Sequence, residues 1–190
     1  MKKHFKLHKP YGYLSQFVNN QTKRKNKKLL GELGVFPKEI MPIGRLDETS
    51  EGLLLLTTCG KTSNYINSSK VEKEYLVQVD GLITKEAIQE LKEGVTIAIH
   101  GKSYKTNPCV VKSFVNPEKY KLEERAIRDS RHGPTSWISI TLTEGKFRQV
   151  RKMTAKVGFP TLRLIRIRIG NVNLDLDAGK FQPINDEDLP

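Results

Sequence analysis

Short connections between strand-like segments limit how this chain can fold. Residues 75–80 and 136–142 alternate apolar and polar side chains, which is the two-residue period of a strand with one buried face. The apolar run at 53–57 and the segment 162–169 predict two further strands. Several connections are shorter than the dozen residues that a parallel crossover requires. We therefore predict an α+β fold with a mainly antiparallel or mixed central sheet, and not a doubly wound parallel sheet.

Helix and turn signals occupy the segments between these strands. Thr84 can cap a helix that Gly94 ends. Ala87, Ile88 and Leu91 would share the buried face of that helix. The other predicted elements are an extended segment at 5–14, a short helix at 29–35, strands at 95–99 and 109–115, an irregular charged loop at 116–133 and a helix at 147–157.

The chain is strongly basic. Its 33 Lys and Arg exceed its 21 Asp and Glu, which gives a formal net charge of +12. Such an excess favours a polyanionic partner, because each phosphate that is neutralised releases counterions. The segment that begins with Lys146 and ends with Arg168 contains eight basic residues, these two included, and no acidic one, whereas the basic run at 23–28 is typical of a solvated loop or arm. Charge alone therefore indicates either a nucleic-acid partner or a merely soluble basic protein.

The cysteines and histidines do not predict a metal site. Cys59 and Cys109 are far apart and lack CxxC spacing, so neither a disulfide framework nor a thiolate zinc cluster is expected. His4 and His8 have HxxxH spacing, but they lie in the segment predicted to be extended, which would keep them apart. No stretch approaches the length of a membrane span. We expect a cytoplasmic, cofactor-free and metal-free protein, with a monomer as the default state.

One carboxylate, Asp47, lies where a catalytic group would be expected. It ends the sequence GRLD, beside Arg45, on a polar turn that leads into the apolar run at 53–57. Loops on a rigid scaffold are common positions for catalytic residues. Spacing alone nevertheless favours the simpler interpretation, which is a turn-forming aspartate with a local hydrogen bond.

Two further segments carry groups that could bind RNA. Lys73 and Tyr75 open a predicted strand, where Tyr75 could stack on an unpaired base, although such a residue is more often an ordinary cross-strand aromatic. Three- and four-residue spacings put Arg148, Arg151 and Lys152 on the polar side of the 147–157 helix. A solvated face is the usual explanation, but an unrelieved positive surface is better explained by a phosphate backbone.

Taken together, the motifs resemble one family. GRLD followed by SEGLLLLT, then KEYLVQVDG, EGKFRQVRKM and GFPTLRLIRIRIG are similar to the bacterial pseudouridine synthases of the RsuA branch. The opening KPYGYLSQF and the stretch from PTSWISITLT onward are most similar to the branch members that modify large-subunit (23S) ribosomal RNA. The resemblance extends from about Lys9 to Gly170 and implies the catalytic fold of that family, with two halves around a basic cleft.

The resemblance also implies roles for individual residues. Asp47 matches the catalytic aspartate, Tyr75 the active-site tyrosine, and Arg151 the arginine that pairs with the aspartate. Lys146 departs from the more usual arginine, which keeps the charge but loses the bidentate grip on a phosphate. The expected RNA-binding residues are Lys9, Arg45, Lys73, Lys146, Arg148, Lys152, Arg163 and Arg166. Residues 1–190 would form a single catalytic domain of two subdomains, without an N-terminal RNA-binding module.

Three alternatives remain open at this point. A non-catalytic RNA-binding or ribosome-assembly protein would explain the charge, but not an aspartate in a basic groove. A glycosidase that uses Asp47 and Glu51 as a carboxylate pair is a second alternative, although one Trp and 7% aromatic residues are few for a sugar-binding cleft. The third is a synthase of the same family that acts on another RNA.

Overall fold

The computed structural model describes residues 2–18, 26–113, 116–120, 122–127 and 129–190. Parts of the predicted basic run (23–25), of the predicted strand at 109–115 (114–115) and of the predicted loop (121 and 128) lie outside this range. The chain divides into two compact units, of which the first is Met1–Val71 with Ile165–Pro190 and the second is Glu72–Leu164. The prediction of a single catalytic domain stays a prediction.

Thirteen strands and three α-helices occur among the described residues. The strands are β1 (His4–Lys9), β2 (Tyr13–Leu14), β3 (Lys28–Leu29), β4 (Met41–Pro42), β5 (Glu51–Thr57), β6 (Lys73–Asp80), β7 (Thr96–Ile99), β8 (Lys102–Lys105), β9 (Val110–Ser113), β10 (Thr135–Leu142), β11 (Thr161–Ile169), β12 (Val172–Asn173) and β13 (Phe181–Ile184). The helices are α1 (Gly60–Asn67), α2 (Lys85–Glu93) and α3 (Gln149–Lys156). No helix in the described part of the chain is long and apolar enough to cross a membrane.

In the first unit, β5 is the central strand. It pairs antiparallel with β1 and β4 and parallel with the middle of β11, where Ile165 is opposite Glu51. Strand β13 pairs with the other edge of β1. All seven residues of β5 are buried, which confirms the buried strand predicted at 53–57. Leu7, Leu54 and Leu56 form the core of this unit together with Leu30 and Ile40.

In the second unit, β10 pairs antiparallel with both β6 and β9, and β7 and β8 form a separate hairpin. The alternation predicted from sequence is confirmed, because Val77, Val79 and Ile138 point to one face and build the core with α2 and α3. Thr84 caps α2 as predicted, with its Oγ1 accepting a hydrogen bond from the Ala87 amide at 3.2 Å.

The α+β class and the mixed sheet are confirmed, since antiparallel pairs and the parallel β5–β11 pair occur together. Three local predictions need correction. The extended segment at 5–14 is two strands separated by a turn at Gly12, the helix at 29–35 is a 3₁₀ turn over Leu30–Leu33, and α3 begins only at Gln149. Arg148 precedes α3 in the left-handed conformation with φ of 53°, so the helix cannot extend back through it.

Candidate active site

The turn that carries Asp47 is fixed on both sides of that residue. Ser15 Oγ donates to the Leu46 carbonyl at 2.8 Å and accepts from the Leu46 amide at 2.9 Å. The Gly12 amide donates to the Glu48 carbonyl at 2.8 Å. Leu46 and Ser15 are buried, whereas the side chain of Asp47 is only half-buried. The backbone on both sides of Asp47 is therefore held in place, while Asp47 itself is not fully buried.

A buried lysine supports the same turn. Lys9 ends β1 with no exposed surface, and its ammonium donates to the carbonyls of Pro10 at 2.9 Å and Tyr13 at 2.7 Å. A third, longer contact of 3.5 Å reaches the Glu48 carbonyl. A buried ammonium is costly unless its donors are satisfied, and these carbonyls satisfy them. Lys9 thus joins the 10–13 segment to the residue that follows Asp47.

Neighbouring carboxylates offset only part of the effect of burial on the pKa of Lys9. Burial lowers the pKa of the Lys9 ammonium from 10.5 to about 8, against the opposing effect of nearby carboxylates and with a further lowering by Arg166. These carboxylates are Glu51, Glu48 and Asp47, in decreasing order of effect. Asp47 and Arg166 are therefore both close enough to Lys9 to change its pKa, and all three residues belong to the first unit.

Gly52 allows β11 to approach β5 closely just after the turn. It has φ of +105°, and a Cβ atom built there would lie 2.3 Å from the Arg166 carbonyl oxygen. Arg166 is buried, and its Nε donates to the Leu53 carbonyl at 2.8 Å. Only glycine can adopt this backbone conformation and leave room for the Arg166 backbone. This explains the glycine of the SEGLLLLT motif.

In the second unit, Tyr75 lies near the start of β6, half-buried against the core on the face that carries Val77 and Val79. Lys73 is also half-buried, at the first position of the strand. Arg151 is half-buried in the first turn of α3. The predicted pairing of Arg151 with Asp47 stays a prediction, because the two residues belong to different units.

The turn before α3 is organised by Glu144. Its carboxylate accepts from the Tyr104 hydroxyl, from the Asn107 amide at 2.8 Å and from Gln149 Nε2 at 2.5 Å. The hydrogen bond to Glu144 is the main reason that the pKa of Tyr104 is raised. Gln149 is buried, and its Oε1 accepts from the Lys146 amide at 3.0 Å. These contacts fix the loop that presents Lys146 and its neighbours.

Cationic and aromatic side chains are exposed next to that turn. Phe147 is 55% exposed and its ring stacks on His100, with centroids 5.6 Å apart. Lys152 Nζ lies 5.3 Å from the centroid of the Phe147 ring and donates to the Ala98 carbonyl at 2.7 Å. Arg148 is also exposed. Interleaved cations and aromatic faces are suited to the phosphates and bases of unpaired nucleic acid.

The predicted RNA-binding residues differ in how exposed they are. Arg45, Lys146 and Arg148 are exposed, and Lys73 and Lys152 are half-buried. Lys9, Arg163 and Arg166 are buried. The RNA-binding assignments stay predictions, but the complete burial of Lys9 argues against direct contact with a phosphate. Within the described residues, no group of three or more His, Cys, Asp or Glu is placed to hold a metal ion.

Sequence reasoning missed several residues that shape the site. Ser15, Glu144 and Gln149 hold the two turns, yet small polar residues and single acids carry no distinctive spacing. The burial of Lys9 did have a signal, since Phe5, Leu7 and Lys9 alternate along one strand and share a face. A basic residue at such a position indicates a satisfied internal cation as readily as a surface charge.

Comparisons with known proteins identify the family of this chain. The family model described as RNA pseudouridylate synthase matches residues 3–156. The chain is 39% identical over 171 residues to the ribosomal large subunit pseudouridine synthase E of Xanthomonas axonopodis pv. citri, covering 89% of this chain and 86% of that protein. It is 37% identical over 182 residues to the protein of the same name from Vibrio vulnificus, covering 94% and 74% respectively.

A search of solved structures gives the same result. A crystal structure of a pseudouridylate synthase matches with a TM-score of 0.77 and 25% identity, over all of this chain and 73% of that one. A Cbf5–Nop10–Gar1 complex matches with a TM-score of 0.58 at 16% identity, over 92% of this chain and 52% of that one, which is a likeness of fold. From the family match and the identity to its relatives, the chain belongs to the RNA pseudouridylate synthase family.

Proposed function

We propose that this protein isomerises a specific uridine of large-subunit (23S) ribosomal RNA to pseudouridine, with the Asp47 carboxylate as nucleophile. The observation that carries the proposal is the Asp47 turn, in which the flanking residues are held and Asp47 itself is half-buried. A nucleophile held in one position reacts without first losing conformational freedom. The relatives named for the large ribosomal subunit support the choice of RNA.

The reaction is an isomerisation that needs no oxidant and no energy source. The N1–C1′ bond of uridine breaks, the uracil turns, and a C5–C1′ bond forms. The proton on C5 leaves and N1 gains one, so that substrate and product have the same atoms. Asp47 attacks either C1′ of the ribose or C6 of the uracil, and in both routes it is released unchanged.

Two residues of the second unit complete the proposed machinery. The target uridine has to leave its stack to be reached, and Tyr75 would stack on the extruded base. Tyr75 is also a candidate for taking the C5 proton. Arg151 would pair with the Asp47 carboxylate and orient it. The exposed Lys146 and Arg148 would contact phosphates, in a cytoplasmic enzyme that acts as a monomer.

The structure bears on the glycosidase alternative. A glycosidase needs two carboxyl groups that flank the scissile bond. Glu51, the second carboxylate of that hypothesis, is only 5% exposed and lies at the start of the buried strand β5. Its carboxylate is electrostatically coupled to the buried ammonium of Lys9. Glu51 is therefore better explained as part of the support of the turn than as a catalytic acid.

The test is an acid-to-amide substitution at Asp47. Asp47→Asn should abolish pseudouridine formation in ribosomal RNA and leave RNA affinity nearly unchanged, because only the nucleophile is lost. The matched control is Asp177→Asn, which changes an exposed carboxylate of the same unit and should retain full activity. Pseudouridine mapping of ribosomal RNA treated with each protein is the measurement. Normal turnover by Asp47→Asn would refute the nucleophile, and RNA binding without product by the unaltered protein would favour the non-catalytic alternative.

A further inference from the structure

A polar cavity of about 590 Å³ lies within the second unit, on the face of the sheet opposite the core. Gln78 on β6 is directly opposite Trp137 on β10, so the two side chains project from the same face. Arg163, on the neighbouring strand β11, also lines the cavity. Residues 124–127, from the charged loop, form the other wall. Its volume is within the range of roughly 300–1,000 Å³ that is typical of small-molecule sites.

The lining combines the three kinds of group that bind a nucleotide. Trp137 is half-buried, outside the core cluster, and offers the face of an indole to a planar base. Gln78 and Glu124 offer hydrogen-bonding groups for the edge of a base. Arg125 and Arg163 supply two cations for a phosphate against the single carboxylate of Glu124.

Three of the lining residues, Gln78, Trp137 and Arg163, are built into the sheet. Gln78 Nε2 donates to Thr135 Oγ1 at 3.0 Å, which fixes the amide and leaves its carbonyl oxygen for another donor. Arg163 is 6% exposed and lines the cavity, so most of its side chain is packed within the protein. Gln78 and Arg163 therefore lose little side-chain freedom on binding, whereas Glu124 and Arg125 lie on the loop.

We propose that this cavity binds one unpaired nucleotide of the substrate RNA, with its base stacked on Trp137 and its phosphate at Arg125 and Arg163. This inference rests on the proposed function for the identity of the ligand. The bound nucleotide is not the uridine that reacts, because Tyr75, the proposed stacking partner of that uridine, packs on the core face of β6 whereas Gln78 and Trp137 project from the opposite face. The cavity would thereby contribute to the choice of RNA.

The chain offers a direct probe, because Trp137 is its one tryptophan. We would titrate the unaltered protein with a mixed-sequence single-stranded oligoribonucleotide of about twelve nucleotides, and follow intrinsic fluorescence and acrylamide quenching. Binding of the same RNA, labelled with fluorescein, would be measured separately by anisotropy. We expect a saturable fall in Trp137 emission and a loss of quenching by acrylamide. Both changes should be half complete at the RNA concentration that gives the midpoint of the anisotropy titration. Binding by anisotropy without a change at Trp137, or no binding at all, would overturn the proposal.

Variants give a second readout. Trp137→Ala should weaken binding by roughly 5- to 150-fold, the range expected for losing one base stack, and should raise KM for the ribosomal RNA more than it lowers kcat. Trp137→Phe keeps an aromatic face and should retain most of the affinity. The matched control is Tyr65→Ala, which removes an exposed aromatic of the first unit and should bind and react normally. Circular dichroism would verify that each variant is folded.

The outcomes separate this inference from the function on which it rests. If the unaltered protein forms pseudouridine in ribosomal RNA but Trp137→Ala binds RNA as tightly as Tyr65→Ala, the cavity is not a nucleotide site and the enzyme assignment stands. If no ribosomal RNA is modified, the proposed function fails whatever Trp137 reports.

Discussion

Replacing Lys9 with methionine tests whether a buried cation supports the catalytic turn. The side chain has no exposed surface and its ammonium donates to backbone carbonyls of residues 10 and 13. Burial lowers its pKa in the folded protein from 10.5 to about 8. Methionine has a similar length and removes both the charge and the titration.

The sign of the pH effect follows from the two pKa values. Below about pH 8 the lysine is charged in both the folded and the unfolded protein. The free-energy cost of burying its ammonium therefore does not change with pH in this range. Between about pH 8 and 10.5 the unfolded chain keeps the proton that the folded protein has lost, and the stability of the unaltered protein rises with pH. The full difference between these pKa values corresponds to about 3 kcal/mol. Lys9→Met also leaves backbone carbonyls without a hydrogen-bond donor. This lowers the stability of the variant by about 1–3 kcal/mol for each carbonyl, independently of pH.

Urea unfolding followed by circular dichroism from pH 7 to 10.5 is the assay. The free energy of unfolding of the unaltered protein minus that of Lys9→Met should increase across this window by up to about 3 kcal/mol. Other titrating groups are common to both proteins and cancel in the difference. Lys180→Met removes an exposed lysine of the same unit and should give a flat difference. A flat difference for Lys9→Met as well would refute the reasoning.

Two further predictions address the strand after the turn and the proposed counter-ion. Gly52→Ala should destabilise the first unit by about 2–5 kcal/mol, since a Cβ would meet the Arg166 backbone at 2.3 Å with φ of +105°. Gly60→Ala, with nothing within 4 Å, should be neutral in the same thermal melts, and equal melting temperatures for the two variants would contradict this account. Arg151→Lys keeps the charge but loses the planar fork, so kcat should fall at least about 10-fold with an unchanged salt dependence of RNA binding. Arg148→Lys is its control, and equal kcat values for the two variants would argue against the orienting role of Arg151.

Some of the fold could be predicted because local patterns and tertiary packing agree. The apolar run of β5 is buried on all sides, and the Thr84 cap and the alternation around Val77 match the structure. Other elements carry no local pattern. Helix α1 has the polar sequence GKTSNYIN with Ile66 as its one buried residue, and β13 contains a proline, so neither has a clear periodicity.

Motif context predicts the reactive residues of the candidate site, and these assignments stay predictions, whereas the residues that support the site carry no such motif. Asp47, Tyr75 and Arg151 are assigned from the motifs, whereas Ser15 acts on the backbone of a neighbouring residue. Leu46 is fixed by Ser15 through both its amide and its carbonyl. Any small polar residue could do this in principle, so the position has no sequence signature before the fold is known.

The clamp on the Asp47 turn has a consequence for engineering. Ser15, Gly12 and Lys9 lie more than thirty positions before the turn that they hold. A chimera that exchanged only the 44–52 loop with a distant homologue would separate the turn from these partners. Residues 9–15 would have to be exchanged together with this loop, and both segments would have to come from the same homologue.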